Sequence, residues 1–168
     1  MTVRVRYGEC DPQGVAHHAS YIPWLELART ELLRGTPERE PSTGRVVYSG
    51  GVSYAAMERA GVFLVVSKLG VSYKAPALYD EVIEVFARVT GGGRARIDHG
   101  YEVWRLKDDG SRLALLATAE TTLACVGSDG KPRPLPAWLS PAGLLSVEDG
   151  GGAGAATGGG RRRSGVGG

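Results

Sequence analysis

The chain has 168 residues, enough for one domain with a real core, and its 42% hydrophobic and 23% charged residues are an ordinary globular mixture. The formal net charge of +2, much of it from Arg161, Arg162 and Arg163, gives no ground for a nucleic-acid partner. Two cysteines, Cys10 and Cys125, without CxxC spacing are too few to suggest a disulfide scaffold or a cysteine metal site; no secretory leader is expected, since the chain goes straight into the strand-like TVRVRY, and the apolar run from Gly61 to Val66 is too short to cross a bilayer. A reducing, cytoplasmic setting is expected, with no membrane, metal or cofactor.

Thr2 to Tyr7 alternates as a strand, with Val3 and Val5 on one face and Arg4 and Arg6 on the other. Gly8 to Gly14 breaks it. From Tyr21 to Arg34, Ile22, Leu25, Ala28, Arg29 and Leu32 recur at helical spacing, and Trp24, Leu27 and Leu33 widen the apolar face. Gly35 and Pro37 stop that helix. Thr36 to Arg45 reads as a polar loop with little strand signal, and Val52 to Ala60 as a short helix ended by Gly61.

Val62 to Tyr73, Val82 to Thr90, Arg96 to Leu106 and Arg112 to Val126 then read as four strands. The turns between the last three are placed at Gly91-Gly92-Gly93 and Asp108-Asp109-Gly110. Lys131 to Pro136 reads as an extended strap leading to a short turn or helix at Ala137 to Leu139. This order is α+β: a five-stranded antiparallel sheet covering one long helix. The domain is expected to span 1–147, and the Gly/Ala/Arg-rich stretch 148–168 to be a disordered tail.

The chemistry concentrates where the first strand turns into the long helix. Asp11 follows a strand, Gly14 allows a tight backbone, and a helix N-terminus offers free N–H groups and partial positive charge for a developing oxyanion. Its bland reading is a turn aspartate or N-cap. One of His17 and His18 is expected to face the same place. Glu9 is left undecided, and Glu26 is assigned to a pair with Arg29 or Thr30. No Ser-His-Asp triad or G-x-S-x-G context exists, Cys10 lacks an activating base, and His99 and the cysteines have no metal spacing.

VRYGECDPQGVAHHASYIPWLELARTELLR resembles the V-R-Y-x-E-x-D-x-x-G-V-x-x-H-x-x-Y stretch and following helix of hotdog-fold acyl-CoA thioesterases of the 4-hydroxybenzoyl-CoA thioesterase family. KLGVSYKAPALYDEVIEV is similar to that family's second characteristic region, and the likeness spans about residues 2 to 127. It implies a hotdog fold, in which five antiparallel strands wrap one long helix, and pairing into a homodimer or homotetramer with sites at the subunit interface. It also implies an acyl-CoA substrate and hydrolysis to the free acid and CoA. The catalytic carboxylate falls on Asp11 and the polarising helix start near His18. In the Tol-Pal-associated branch, a tyrosine and a histidine accompany that aspartate, and these fall on Tyr7 and His18.

A thioester needs a polarised carbonyl and a carboxylate that either attacks or activates water, and Asp11 suits either role. A carrier-protein thioesterase, a hydratase and a non-catalytic acyl-CoA-binding module share the fold. The D-x-x-G-V-x-x-H turn speaks against the hydratase and the aspartate against the binding module. Lys74, Arg88, Arg94 and Arg96 are candidates for the CoA phosphates, and Tyr48, Tyr54, Met57, Phe63 and Trp104 for the acyl pocket.

Overall fold

Strands that hide one face must alternate, and the fold follows that rule closely. In the computed structural model, which describes residues 1–39 and 46–139, β1 (Thr2–Arg4) leads through a single 3₁₀ turn at Tyr7–Glu9 and a tight turn to a second one at His18–Ser20. Then come α1 (Tyr21–Arg34), β2 (Gly35–Arg39), β3 (Val46–Gly50), α2 (Tyr54–Arg59), β4 (Phe63–Tyr73), β5 (Val82–Gly93), β6 (Arg96–Leu106) and β7 (Arg112–Val126). β1 and β4–β7 form one antiparallel sheet in the order β1-β5-β6-β7-β4. The expected end of the domain at 147 and the tail 148–168 lie outside the described residues.

Ile83, Val85, Ala87 and Val89 of β5 point inward, joined by Ile97, Tyr101 and Val103 of β6 and Leu123 and Cys125 of β7. Register shifts at Val66/Lys68, Val89/Gly91 and Val103/Trp104 mark bulges, which bend strands and deepen the curl around a helix. At the last of these the extra residue, Leu116, is buried beside Ala117 and its carbonyl takes the N–H groups of both Lys74 and Ala75. The helix meets this sheet with Tyr21, Trp24, Leu25, Ala28, Arg29 and Leu33. Ile22 and Leu27, assigned by periodicity to the apolar face, are exposed instead, because the face that packs is centred on Leu25 and Ala28.

The core divides in two. One apolar cluster gathers Trp24, Leu25, Ala28, Ala87 and Tyr101, and the other Leu33, Met57, Val89, Ile97 and Leu139. On α1 and β6 a buried polar residue, Arg29 and His99, stands where one cluster gives way to the other, and buried Thr121 on β7 pairs with His99 in the ladder, so the three make a polar belt. Tyr101 Oη and Thr121 Oγ1 share a hydrogen bond of 2.9 Å, and Arg29 Nε donates to Tyr54 Oη at 3.4 Å. His99 is 1% exposed, and neither ring nitrogen has a hydrogen-bond partner among the described residues. Burial and, after it, the Arg29 charge hold the His99 pKa down to about 4.

Several expectations need correction. The first strand stops at Arg4, because Arg6 to Glu9 turns into a 3₁₀ segment tied by its own Arg6–Glu9 hydrogen bonds. The stretch read as a polar loop after α1 contributes β2, which pairs with β3 from Gly35↔Gly50 to Arg39↔Val46. A hairpin partner supplies the strand order that local sequence does not. Gly91, Gly92 and Gly93 are not the turn but the end of β5, paired with Asp98, Ile97 and Arg96, so the chain reverses at Arg94–Ala95. The strap is present: Arg133 N–H donates to Cys125 O, Leu135 N–H to Arg94 O, and Leu139 is buried.

Candidate active site

The turn between β1 and α1 is a small closed loop. Cys10 bridges Ala16, Asp11 N–H donates to Val15 O at 2.9 Å, and Gly14 N–H returns to Asp11 O at 3.0 Å. Gly14 has φ 77, a left-handed conformation that side chains disfavour, so glycine suits this position. The Asp11 carboxylate stays on its own loop: Oδ1 accepts from Gln13 N–H at 2.9 Å and from Val15 N–H at 3.2 Å. Oδ2 accepts nothing from any described residue. One oxygen is anchored and the other is open.

The far side of the loop is pinned to the segment before β5. Val15 bridges Leu78, Ala16 N–H donates to Ala77 O at 2.8 Å, and Tyr79 N–H to Gly14 O at 3.1 Å. Tyr7 packs edge-on against Tyr79, with ring centroids 5.9 Å apart, and is 82% exposed. Tyr7, Asp11, Gly14 and Tyr79 border one hollow of about 410 Å³. His18 borders another of about 340 Å³ with Val15, Tyr21, Tyr73 and Lys74. The three residues singled out from the sequence therefore sit around one turn, Tyr7 and Asp11 on one side of Val15 and His18 on the other.

The helix start is built for an acceptor. His17 Nδ1 takes the Ala19 N–H at 3.2 Å and His17 O takes the Ser20 N–H at 2.8 Å, whereas the His18 N–H donates to no described residue. Tyr73 Oη donates to His18 O at 2.9 Å and so fixes the peptide beyond that free N–H. The two imidazoles lie against each other, 4.0 Å between centroids. His17 is thus a helix cap, and His18 is the one of the pair that faces a hollow.

Glu9, undecided in the sequence, is the anchor of this region. Its carboxylate takes Arg6 N–H at 2.8 Å, Arg6 Nη2 at 2.6 Å and the Trp24 indole N–H at 3.0 Å. Burial raises its pKa, but the Arg6 and Trp24 hydrogen bonds outweigh that and leave it below the ordinary carboxylate range. Glu26 is as expected: its carboxylate lies 3.9 Å from Arg29, and its carbonyl accepts from Thr30 Oγ1 at 2.8 Å. Cys10 is a free thiol raised in pKa by burial and by Asp11 and Glu9, which opposes a nucleophilic role.

Other candidates are displaced. Trp104 stays off the inner face, its indole N–H on Glu102 and its ring under the Arg112 guanidinium, so it cannot line a pocket beside α1. Met57 is packed in the second apolar cluster, and the Tyr48 side chain lies outside the described ones. Arg96 pairs with Asp98, whereas Lys74 borders the His18 hollow. A further hollow of about 790 Å³, where β5 begins and β6 ends, is edged in part by charges already paired, Arg4 with Asp80 and Arg105 with Glu81. Among the described residues no group of His, Cys, Asp and Glu is arranged to hold a metal ion, and no helix is long and apolar enough to cross a membrane.

Known proteins resemble this chain over most of its length. The profile of the thioesterase-like superfamily matches residues 5–143. The acyl-CoA thioester hydrolase YbgC of Escherichia coli O6:H1 is 33% identical over 135 residues, 80% of this chain and 87% of its own. YneP of Bacillus subtilis is 29% identical over 102 residues, 61% of this chain and 64% of YneP. The crystal structure of a DHNA-CoA thioesterase from Staphylococcus aureus superposes with a TM-score of 0.69 at 28% identity, covering 89% of this chain and 91% of that one.

Proposed function

The chain belongs to the thioesterase-like superfamily, and on that premise we propose that it is an acyl-CoA thioesterase whose carboxylate is Asp11 and whose oxyanion donor is the His18 backbone N–H. It hydrolyses the thioester of an aryl- or aliphatic acyl-CoA to the free acid and CoA. The observation that carries the residue assignment is the division of labour at Asp11: Oδ1 is held by two backbone N–H groups while Oδ2 is free beside a hollow. Such a carboxylate is oriented without being consumed by its own loop.

In the reaction, Asp11 either attacks the carbonyl carbon or takes a proton from the water that does. The carbonyl oxygen gathers negative charge and is met by the His18 N–H at the positive end of the helix. The C–S bond breaks and the CoA thiolate leaves: in the base role it takes the proton that Asp11 removed from water, and in the attack role water then hydrolyses the Asp11 acyl anhydride, giving the free acid, the thiol proton and the original carboxylate. Tyr7 and His18 flank the turn as polar partners of the substrate.

The working unit is a homodimer. β4 is an edge strand whose Val65, Val66, Leu69 and Tyr73 are between 39% and 49% exposed, and an apolar edge of this kind invites pairing. It ends at Tyr73, which with the next residue, Lys74, borders the His18 hollow, so a second chain along β4 would wall that side of the site. Leu69→Arg is expected to shift the particle to monomer in sedimentation and to lower turnover with it; a dimer of unchanged mass would refute the edge assignment. Free Cys10 and Cys125 suit a reducing cytoplasm.

The test is free-thiol release from a panel of aryl- and aliphatic acyl-CoAs, with matched acyl-phosphopantetheine on a carrier protein as the second arm. The wild type is expected to release CoA and the Asp11→Asn chain to fall about 10²- to 10⁴-fold in kcat while remaining folded. Thiol release from the carrier alone would instead support the carrier-protein reading, and an Asn variant as fast as wild type would refute the role of Asp11.

A further inference from the structure

We propose that Glu9 is a positioning residue that sets the spacing between the Asp11 carboxylate and the His18 N–H, an inference resting on the roles just given to those two groups. Five hydrogen bonds converge on it. Its side chain takes Arg6 N–H, Arg6 Nη2 and Trp24 Nε1–H, and its carbonyl takes His17 N–H at 2.8 Å and Ser20 Oγ–H at 2.8 Å. Asp11 lies two residues after Glu9 on one arm of the turn. His18 follows His17 directly on the other. One residue thus ties the arm that carries the carboxylate, the arm that carries the oxyanion donor, and the buried face of the helix behind them.

A residue needed only to fasten the helix would require one acceptor for the Trp24 indole. The Glu9 carbonyl spends its two hydrogen bonds elsewhere, on the residue before His18 and on the last residue before α1. The carboxylate itself is only 13% exposed, whereas its partner Arg6 is 75% exposed, so the acid is the held end of the pair. A half-buried carboxylate with three hydrogen bonds is well held, and a displacement of about 1 Å between reacting groups costs on the order of 10²-fold in rate. Glu9 does not border the hollow at Asp11 or the one at His18, so it acts through its neighbours rather than on the substrate.

The test uses three variants of the full chain with one acyl-CoA that the wild type hydrolyses. Glu9→Gln keeps the shape and an acceptor for Trp24, but its NH₂ end cannot accept the Arg6 N–H. It is expected to lower kcat about 10- to 100-fold with KM within a few-fold and the thermal midpoint close to wild type. In an Asp11→Asn background the same change is expected to cost no further activity, since the spacing no longer serves a carboxylate. Ser20→Ala, which removes one bond to the Glu9 carbonyl without touching Glu9, is expected to give a smaller loss of the same kind. It keeps the question open to measurement should Glu9→Gln unfold. Wild-type kcat in either the Gln or the Ala variant would overturn the proposal, as would an equal loss with and without Asp11. Full activity in Asp11→Asn alone would overturn the catalytic assignment instead, so the two failures are distinguishable.

Discussion

Two polar clusters lie along the same helix, and they are organised in opposite ways. At the N-terminal end of α1, Glu9, Arg6, Trp24, His17 and Ser20 bond to one another, and Asp11 Oδ2 and the His18 N–H, without a partner among the described residues, belong to residues that border hollows. At the third turn, Arg29, Tyr101 and Thr121 are buried beside a partly buried Tyr54, and the open group is His99, sealed from solvent with neither nitrogen partnered among the described residues. An unpaired polar atom therefore means something different in each place. Beside a hollow it is open to a ligand, as proposed for Asp11 and His18; between two apolar clusters it costs stability. The most displaced histidine here is the structural one, and a strongly shifted pKa would by itself point to the wrong end of the helix.

That contrast can be broken at the belt or sharpened at the turn. The larger effect is expected at His99. Its pKa is about 4 when folded against an ordinary 6.5, so above pH 6.5 both states are neutral and no penalty arises. Between 6.5 and 4 the unfolded chain takes up a proton that the folded one refuses, and stability falls by about 3 kcal/mol across that window. His99→Leu removes both unpartnered nitrogens and should abolish this acid-dependent loss, leaving only that of the carboxylates; thermal unfolding at pH 7 and pH 4.5 measures it. An unchanged slope between those pH values would show that His99 is not buried as a neutral base.

The smaller effect is expected at Gly14. A Cβ there would meet nothing within 4 Å, so Gly14→Ala tests backbone conformation alone. With φ 77 the cost is about 1 kcal/mol of stability. Because Gly14 lies between the residues whose N–H groups hold Asp11 Oδ1, turnover should fall as well. Equal stability and equal turnover in the Ala variant would mean that the loop is looser than its hydrogen bonds imply.

The sheet and the long helix were legible because their signals are local. Val82 to Val89 alternates, Asp109 and Gly110 mark a turn that forms between Lys107 and Ser111, and the D-x-x-G-V-x-x-H stretch announces a tight loop before a helix. What was not legible depends on partners distant in the chain. Gly35 to Arg39 becomes a strand only through its ladder with Val46 to Gly50, although Pro37 and two charges argue against it locally. Helical spacing put Arg29 on the inner face, but nothing in the sequence says that His99 and Thr121, 70 and 92 residues away in the sequence numbering, would be buried on the strands it faces. Glu9 was ambiguous for the same reason: its direction is decided by Trp24, fifteen residues on, rather than by the strand before it.

The most direct measurement is kcat/KM for Asp11→Asn and His99→Leu side by side on one acyl-CoA, with both proteins checked for folding at pH 7.5. A turn that catalyses and a belt that only packs predict a fall of about 10²- to 10⁴-fold for the first and a value within a few-fold of wild type for the second. The reverse order, an active Asp11→Asn beside an inactive folded His99→Leu, would contradict the assignment of chemistry to the N-terminal end of α1.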